Sequence, residues 1–162
     1  MTIDKILIII PIIGALFAVF TFFKGIFEYL KQSSLKRAEY FFTIRKKFKE
    51  NKVFMKICDL LEIDDEEIKN VDDADKKSFL GFYEEIAMMM NSNIIREEIV
   101  LYMFGYYAIK CWECNYFWNK NISRDDPYWC LFKEFALTLQ KGEKRLLSNR
   151  FKVAKLKFSL FI

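Results

Sequence analysis

Residues 6–23 read ILIIIPIIGALFAVFTFF, eighteen positions without a charge. A helix needs about 20 apolar residues to cross a hydrocarbon core roughly 30 Å thick. The run extends past Lys24, which can snorkel, through Gly25, Ile26 and Phe27. Its length and the absence of a small-residue cleavage pattern distinguish it from a signal peptide. Its apolarity on every face distinguishes it from an amphipathic core helix. The pattern therefore predicts a membrane anchor over residues 1–30.

Beyond the anchor the period becomes helical. Leu35, Ala38, Phe41, Phe42, Ile44 and Phe48 recur among Lys and Arg, predicting a basic juxtamembrane helix over 31–50, with Ser33 and Ser34 marking a break. Asn51 opens a shorter helix whose apolar face is Val53, Phe54, Ile57, Leu60 and Leu61. It closes in Asp64-Asp65-Glu66-Glu67, a run without the glycine and ligand alternation of a calcium loop, read as a solvated turn and helix start. Asp72 or Asp73 caps the next helix, which sets Phe79, Phe82, Ile86 and Met89 on one face.

Asn91-Ser92-Asn93 interrupts the pattern. A long helix is then expected from 96 to about 119, with the stripe Ile99, Met103, Tyr106, Ile109 and Glu113. Residues 120–126 form a polar loop. Asp126-Pro127 starts a last helix, which Gly142 is expected to stop. The predicted class is all-α: one N-terminal transmembrane helix followed by a small cytoplasmic bundle of four to five helices over 51–147. The tail at 148–162 alternates basic and apolar residues and reads as a final helix, a strand or an interfacial segment.

Charge adds orientation. Lys24, Lys31, Lys36, Arg37, Arg45, Lys46, Lys47 and Lys49 follow the span, while Lys5 and the amino terminus precede it. Lys and Arg favour the cytoplasmic side, so the expected topology is N-terminus out in a bacterial inner membrane. Lys31, Lys36, Arg37, Lys46 and Lys47 are the candidates for contact with anionic head groups; a stalk helix whose charges only set topology explains them equally well.

Composition narrows the chemistry. Histidine is absent, which excludes any Ser-His-Asp or Cys-His site within the chain. The net charge of +4 is too small for a dedicated nucleic-acid binder, and the five glycines are isolated, so no phosphate loop is present. Cys111 and Cys114 form a C-x-x-C placed inside a helix rather than at its start, which removes the dipole a redox motif uses. A zinc site would have to recruit Cys58 and Cys130 at irregular spacing; buried core thiols are the simpler reading, and no metal or cofactor is expected. Glu113, on an apolar stripe, is the carboxylate expected to be partly buried, either at a functional site or in a structural ion pair.

Residues 79–112, FLGFYEEIAMMMNSNIIREEIVLYMFGYYAIKCW, resemble a DUF4760-type family of small bacterial membrane-anchored helical proteins of unknown function. The matching residues are Phe82, Glu84, Glu85, Ile86 and Ala87, then Glu97, Glu98, Phe104, Gly105, Tyr106, Tyr107, Trp112 and Glu113. The chain departs from that pattern at Met88-Met89-Met90 and at Cys111. The resemblance implies an anchored helical architecture, carries no activity, and directs attention to Glu84, Glu85, Gly105 and Glu113. The leading expectation is a non-enzymatic interaction or sensing protein tethered to the membrane. Its partners would be the lipid bilayer, copies of itself or another membrane protein, and a small-molecule ligand. The alternative is a phage-defence or exclusion effector that binds a signalling nucleotide and assembles to perturb the membrane.

Overall fold

A computed structural model describes the backbone of residues 3–147 and the side chains of residues 13–145; the tail expected at 148–162 lies outside the described residues. The chain divides at Tyr40 into two compact units. Helix α1, Ile3–Glu50, begins in the first and ends in the second.

In the first unit the apolar side chains of α1 face outward. Leu16, Phe17, Phe20, Phe22 and Phe27 are each more than 60% exposed, and none of the most apolar window is buried within the chain. This is one helix near the N-terminus long and apolar enough to cross a membrane. Its polar groups are satisfied locally: the Thr21 hydroxyl donates to the carbonyls of Phe17 and Ala18, and Lys24 lies 3.8 Å from Glu28 one turn on. The break expected at Ser33-Ser34 does not occur. Arg37 donates to the Ser33 carbonyl and hydroxyl, so a bond along the helix holds the serine that would otherwise compete with the backbone.

The second unit is built around aromatic rings. The last turns of α1 supply Phe41, Ile44 and Phe48, so the core starts before the boundary the sequence suggests at residue 51. Helix α2, Lys52–Glu62, begins where the Asn51 side chain accepts from the Val53 and Phe54 N–H groups. It buries Phe54, Ile57, Cys58, Leu60 and Leu61. The acidic run after it is a turn with Asp64 at φ +51°, followed by a 3₁₀ helix, Glu66–Asn70, capped by Asp65. Helix α3, Asp73–Asn91, is capped by Asp72 and buries Phe79, Leu80, Tyr83, Ile86, Ala87 and Met89.

Lys76 on α3 is buried, which its residue type does not suggest. Its ammonium donates to the Lys69 carbonyl at 3.4 Å and lies 5.6 Å from the centre of the Phe117 ring. Burial pushes its pKa down.

Residues 97–113 form one helical run of unequal pitch: α4, Glu97–Val100, a π segment, Leu101–Gly105, and α5, Tyr106–Glu113. A Cβ on Gly105 would fall 2.7 Å from Leu101 Cδ1, so a side chain here would have to displace the end of Leu101. The run ends at Glu113, not near 119. Cys114 is extended, and the Trp118 indole N–H reaches back to the Cys111 carbonyl at 3.2 Å, satisfying one of the last free acceptors of α5.

Phe117 and Ile122 then enter the core, and Asp73 accepts from the side-chain amides of Asn119 and Asn121, both at 2.7 Å. Asp126 and Pro127 start a 3₁₀ turn, Pro127–Trp129, that leads into α6, Cys130–Leu147. Gly142 does not stop this helix. It lies inside, where a Cβ would stand 2.9 Å from Glu97 Oε1 and 3.1 Å from Leu101 Cδ2, and so lets α4 approach α6. Arg145 pairs with Glu97 at 3.0 Å beside it. Among the described residues there is no strand, only a bridge between Asn119 and Ile122. The architecture is all-α, as the sequence predicts.

Candidate functional site

The end of α5 meets the turn after α2, and this junction forms a cleft among the described residues. Asp64, Lys110, Glu113, Cys114, Asn115 and Tyr116 line a volume of about 260 Å³. Its floor is set by local bonding. The Cys114 thiol meets the Asp64 carboxylate and the N–H groups of Tyr116 and Phe117. One wall is pinned by Tyr116, whose hydroxyl bonds Glu66; Lys69 pairs with Glu66 at 2.7 Å and lies 4.3 Å over the Tyr116 ring. Asn115 accepts from Arg124 at 3.3 Å. That guanidinium lies 5.2 Å from the Trp112 ring centre and 5.6 Å from that of Trp118, so stacking fixes the loop behind the cleft.

Glu113 lines this cleft, but it is exposed rather than buried. The stripe that predicted its burial assumes 3.6 residues per turn throughout. Ile109 on that stripe is buried, but Tyr106 is 47% exposed, and Glu113 is the last residue of α5, where the chain turns extended at Cys114 and the helical face ends. Glu113 Oε1 accepts from the Gln140 amide at 2.8 Å, so its partner is a side chain of α6.

Glu84 has a different role. It is half-buried on α3 and accepts the Phe132 N–H in the first turn of α6 at 3.3 Å, where a carboxylate meets free donors and the positive end of the helix dipole. Glu85 points outward and is exposed. The three carboxylates therefore do not form one site. The α6 partners of Glu84 and Glu113 are themselves eight residues apart, about 12 Å along the helix.

Burial raises the Glu84 pKa above the usual glutamate range, only partly offset by the Phe132 N–H. Folding thus favours the protonated form. Its contribution to stability is complete below the ordinary glutamate pKa and is lost as pH rises through the folded value. Glu84→Gln keeps an acceptor for Phe132 and removes this loss. The substituted protein should gain stability relative to wild type as pH rises above the ordinary glutamate range, which denaturant melts on either side of that range would measure.

The thiols are set back from reaction. Burial, with Asp59 and Glu62 nearby, pushes Cys58 up to about 12, and burial raises Cys111 and Cys114 as well. All three are buried and reduced, while Cys130 is exposed. The C-x-x-C ends α5 instead of lying within a longer helix, and this carbonyl end does not favour thiolates. No group of three or more metal-ligating side chains occurs among the described residues.

Of the basic residues named as lipid contacts, Lys31, Lys36 and Lys47 are exposed, Arg37 is bonded to Ser33, and Lys46 lies 3.7 Å from Glu50. Asp64, Lys110, Asn115 and Tyr116 are the lining residues that sequence reasoning missed. The left-handed backbone that Asp64 tolerates, at the end of an amphipathic helix, was the one local signal available.

No curated protein and no solved structure matches the chain. The family model described as "Domain of unknown function (DUF4760)" matches residues 8–138, from within the apolar helix to the middle of α6. That span includes Glu84, Glu85, the π segment and every residue of the cleft, and the chain belongs to the DUF4760 family.

Proposed function

We propose that this chain is a membrane-tethered, non-enzymatic sensing protein of the bacterial inner membrane, with its N-terminus outside and the unit from Tyr40 onward in the cytoplasm. The observation that carries the reading is the exposed apolar surface of α1, with Phe17 and Phe20 each 68% exposed. In water each large apolar side chain so left costs on the order of 1.5–3 kcal/mol relative to burial, and lipid removes that cost. The excess of Lys and Arg after the span supports the orientation. The cleft at the end of α5 supports a ligand-responsive unit, and the absence of histidine removes the commonest general base from it.

The exposed thiol of Cys130 offers a direct test, because the other three cysteines are buried. In bacteria expressing the full chain, the protein should stay with membranes through alkaline carbonate washing. A membrane-impermeant maleimide should label Cys130 only after lysis. Recovery in the soluble fraction would rule out the tether, and labelling of intact spheroplasts would invert the topology.

A further inference from the structure

We infer that the cleft at the end of α5 takes a small zwitterion bearing one ammonium and one carboxylate group, which makes a free amino acid the ligand class. The inference rests on the sensing reading above and supplies its ligand. The cleft walls carry both signs of charge, Asp64 and Glu113 against Lys110. Lys110 and Glu113 are three residues apart on one helix, a spacing at which opposite charges commonly pair. Yet none of the ion pairs among the described residues includes Lys110, Asp64 or Glu113.

Glu113 is drawn instead to Gln140, and Asp64 to the Cys114 thiol, so the cleft keeps its charges apart. A ligand with the reverse pair satisfies both. Its carboxylate meets Lys110, and its ammonium meets Asp64 and Glu113 near the carbonyl end of α5, where a cation is favoured. A lone anion would face two carboxylates. A metal ion lacks a set of three ligating side chains among the described residues. The volume of about 260 Å³ falls just under the roughly 300–1,000 Å³ of pockets for larger ligands, which suits a molecule of this size.

Trp112 adjoins Glu113 and stacks with Arg124 behind the cleft, so tryptophan fluorescence of the full-length protein in lipid nanodiscs reports occupancy. The probes are glycine, L-alanine, L-serine, L-aspartate and L-lysine, with ethylamine and propionate as the two half-molecules. At least one amino acid should give a saturable change. Lys110→Gln and Glu113→Gln should each weaken that response tenfold or more while keeping the wild-type melting temperature, and neither half-molecule should reproduce it at equal concentration. No saturable change with any of the five overturns the inference, as does ethylamine or propionate matching the amino acids, or binding by both variants like wild type. A variant that loses its melting transition is replaced by Lys110→Arg, which keeps the charge and should bind. A chain that remains in membranes but binds none of the five loses its ligand class and keeps its tether, whereas a soluble chain loses the tether whatever it binds.

Discussion

Replacing Phe48 by alanine should lower the stability of the helical unit by about 3–5 kcal/mol. Phe48 is 7% exposed and its ring centre lies within 6.2 Å of five others: Phe54 of α2, Phe79, Phe82 and Tyr83 of α3, and Phe104 of the π segment. The closest, Phe82, is at 5.0 Å, and Phe104 meets it edge-on at 87°. Truncation therefore removes burial, opens a cavity and breaks ring contacts with three elements together, those to Tyr83 and Phe104 edge-to-face. The neighbouring Lys47 is exposed, and Lys47→Ala should change stability by no more than about 0.5 kcal/mol. Denaturant melts of the full chain in mild detergent compare the two. Equal effects would mean that the end of α1 is a stalk outside the core.

Tyr83→Phe should act in the opposite direction and raise stability by about 1–3 kcal/mol. Tyr83 is fully buried in α3, with its ring 5.0 Å from Phe79, 6.0 Å from Phe132 and 6.2 Å from Phe135. Its hydroxyl has no hydrogen-bond partner among the described residues. Burial, reinforced by Cys58, Cys111 and Tyr107, holds its pKa well above the usual tyrosine value. A hydroxyl removed from water without replacement bonds carries a desolvation cost that phenylalanine does not, and the ring contacts are retained. The same melts decide it. A loss of 1 kcal/mol or more would show that the hydroxyl bonds an interior water.

Both residues show what was legible in advance. The helical period marked Phe48 as apolar-faced and set Phe79 and Phe82 on one face of the helix that carries Tyr83, so the aromatic core was foreseeable in outline. That one hydroxyl would be stranded there was not, because orphaning depends on what every neighbouring helix fails to offer. The candidate site was less legible still. Of its six lining residues the sequence singled out Glu113 and Cys114, each for a reason the structure revises.

Features that depend on near neighbours along the chain were readable from residue order. These are the apolar helix at the start, the caps at Asn51, Asp72 and Asp126-Pro127, and the all-α class. A cap is decided by side-chain atoms two or three residues from the N–H they meet, and an apolar run by its own composition. Tertiary structure alone decided the rest. The helix ends at Glu113 because Trp118 returns to it, α6 continues through Gly142 because α4 packs there, and Lys76 is buried under Phe117. Glu113 faces a cleft because α5 ends there and the turn after α2 packs beside it. In each case contacts formed by folding decide the outcome, and no window along the chain contains them.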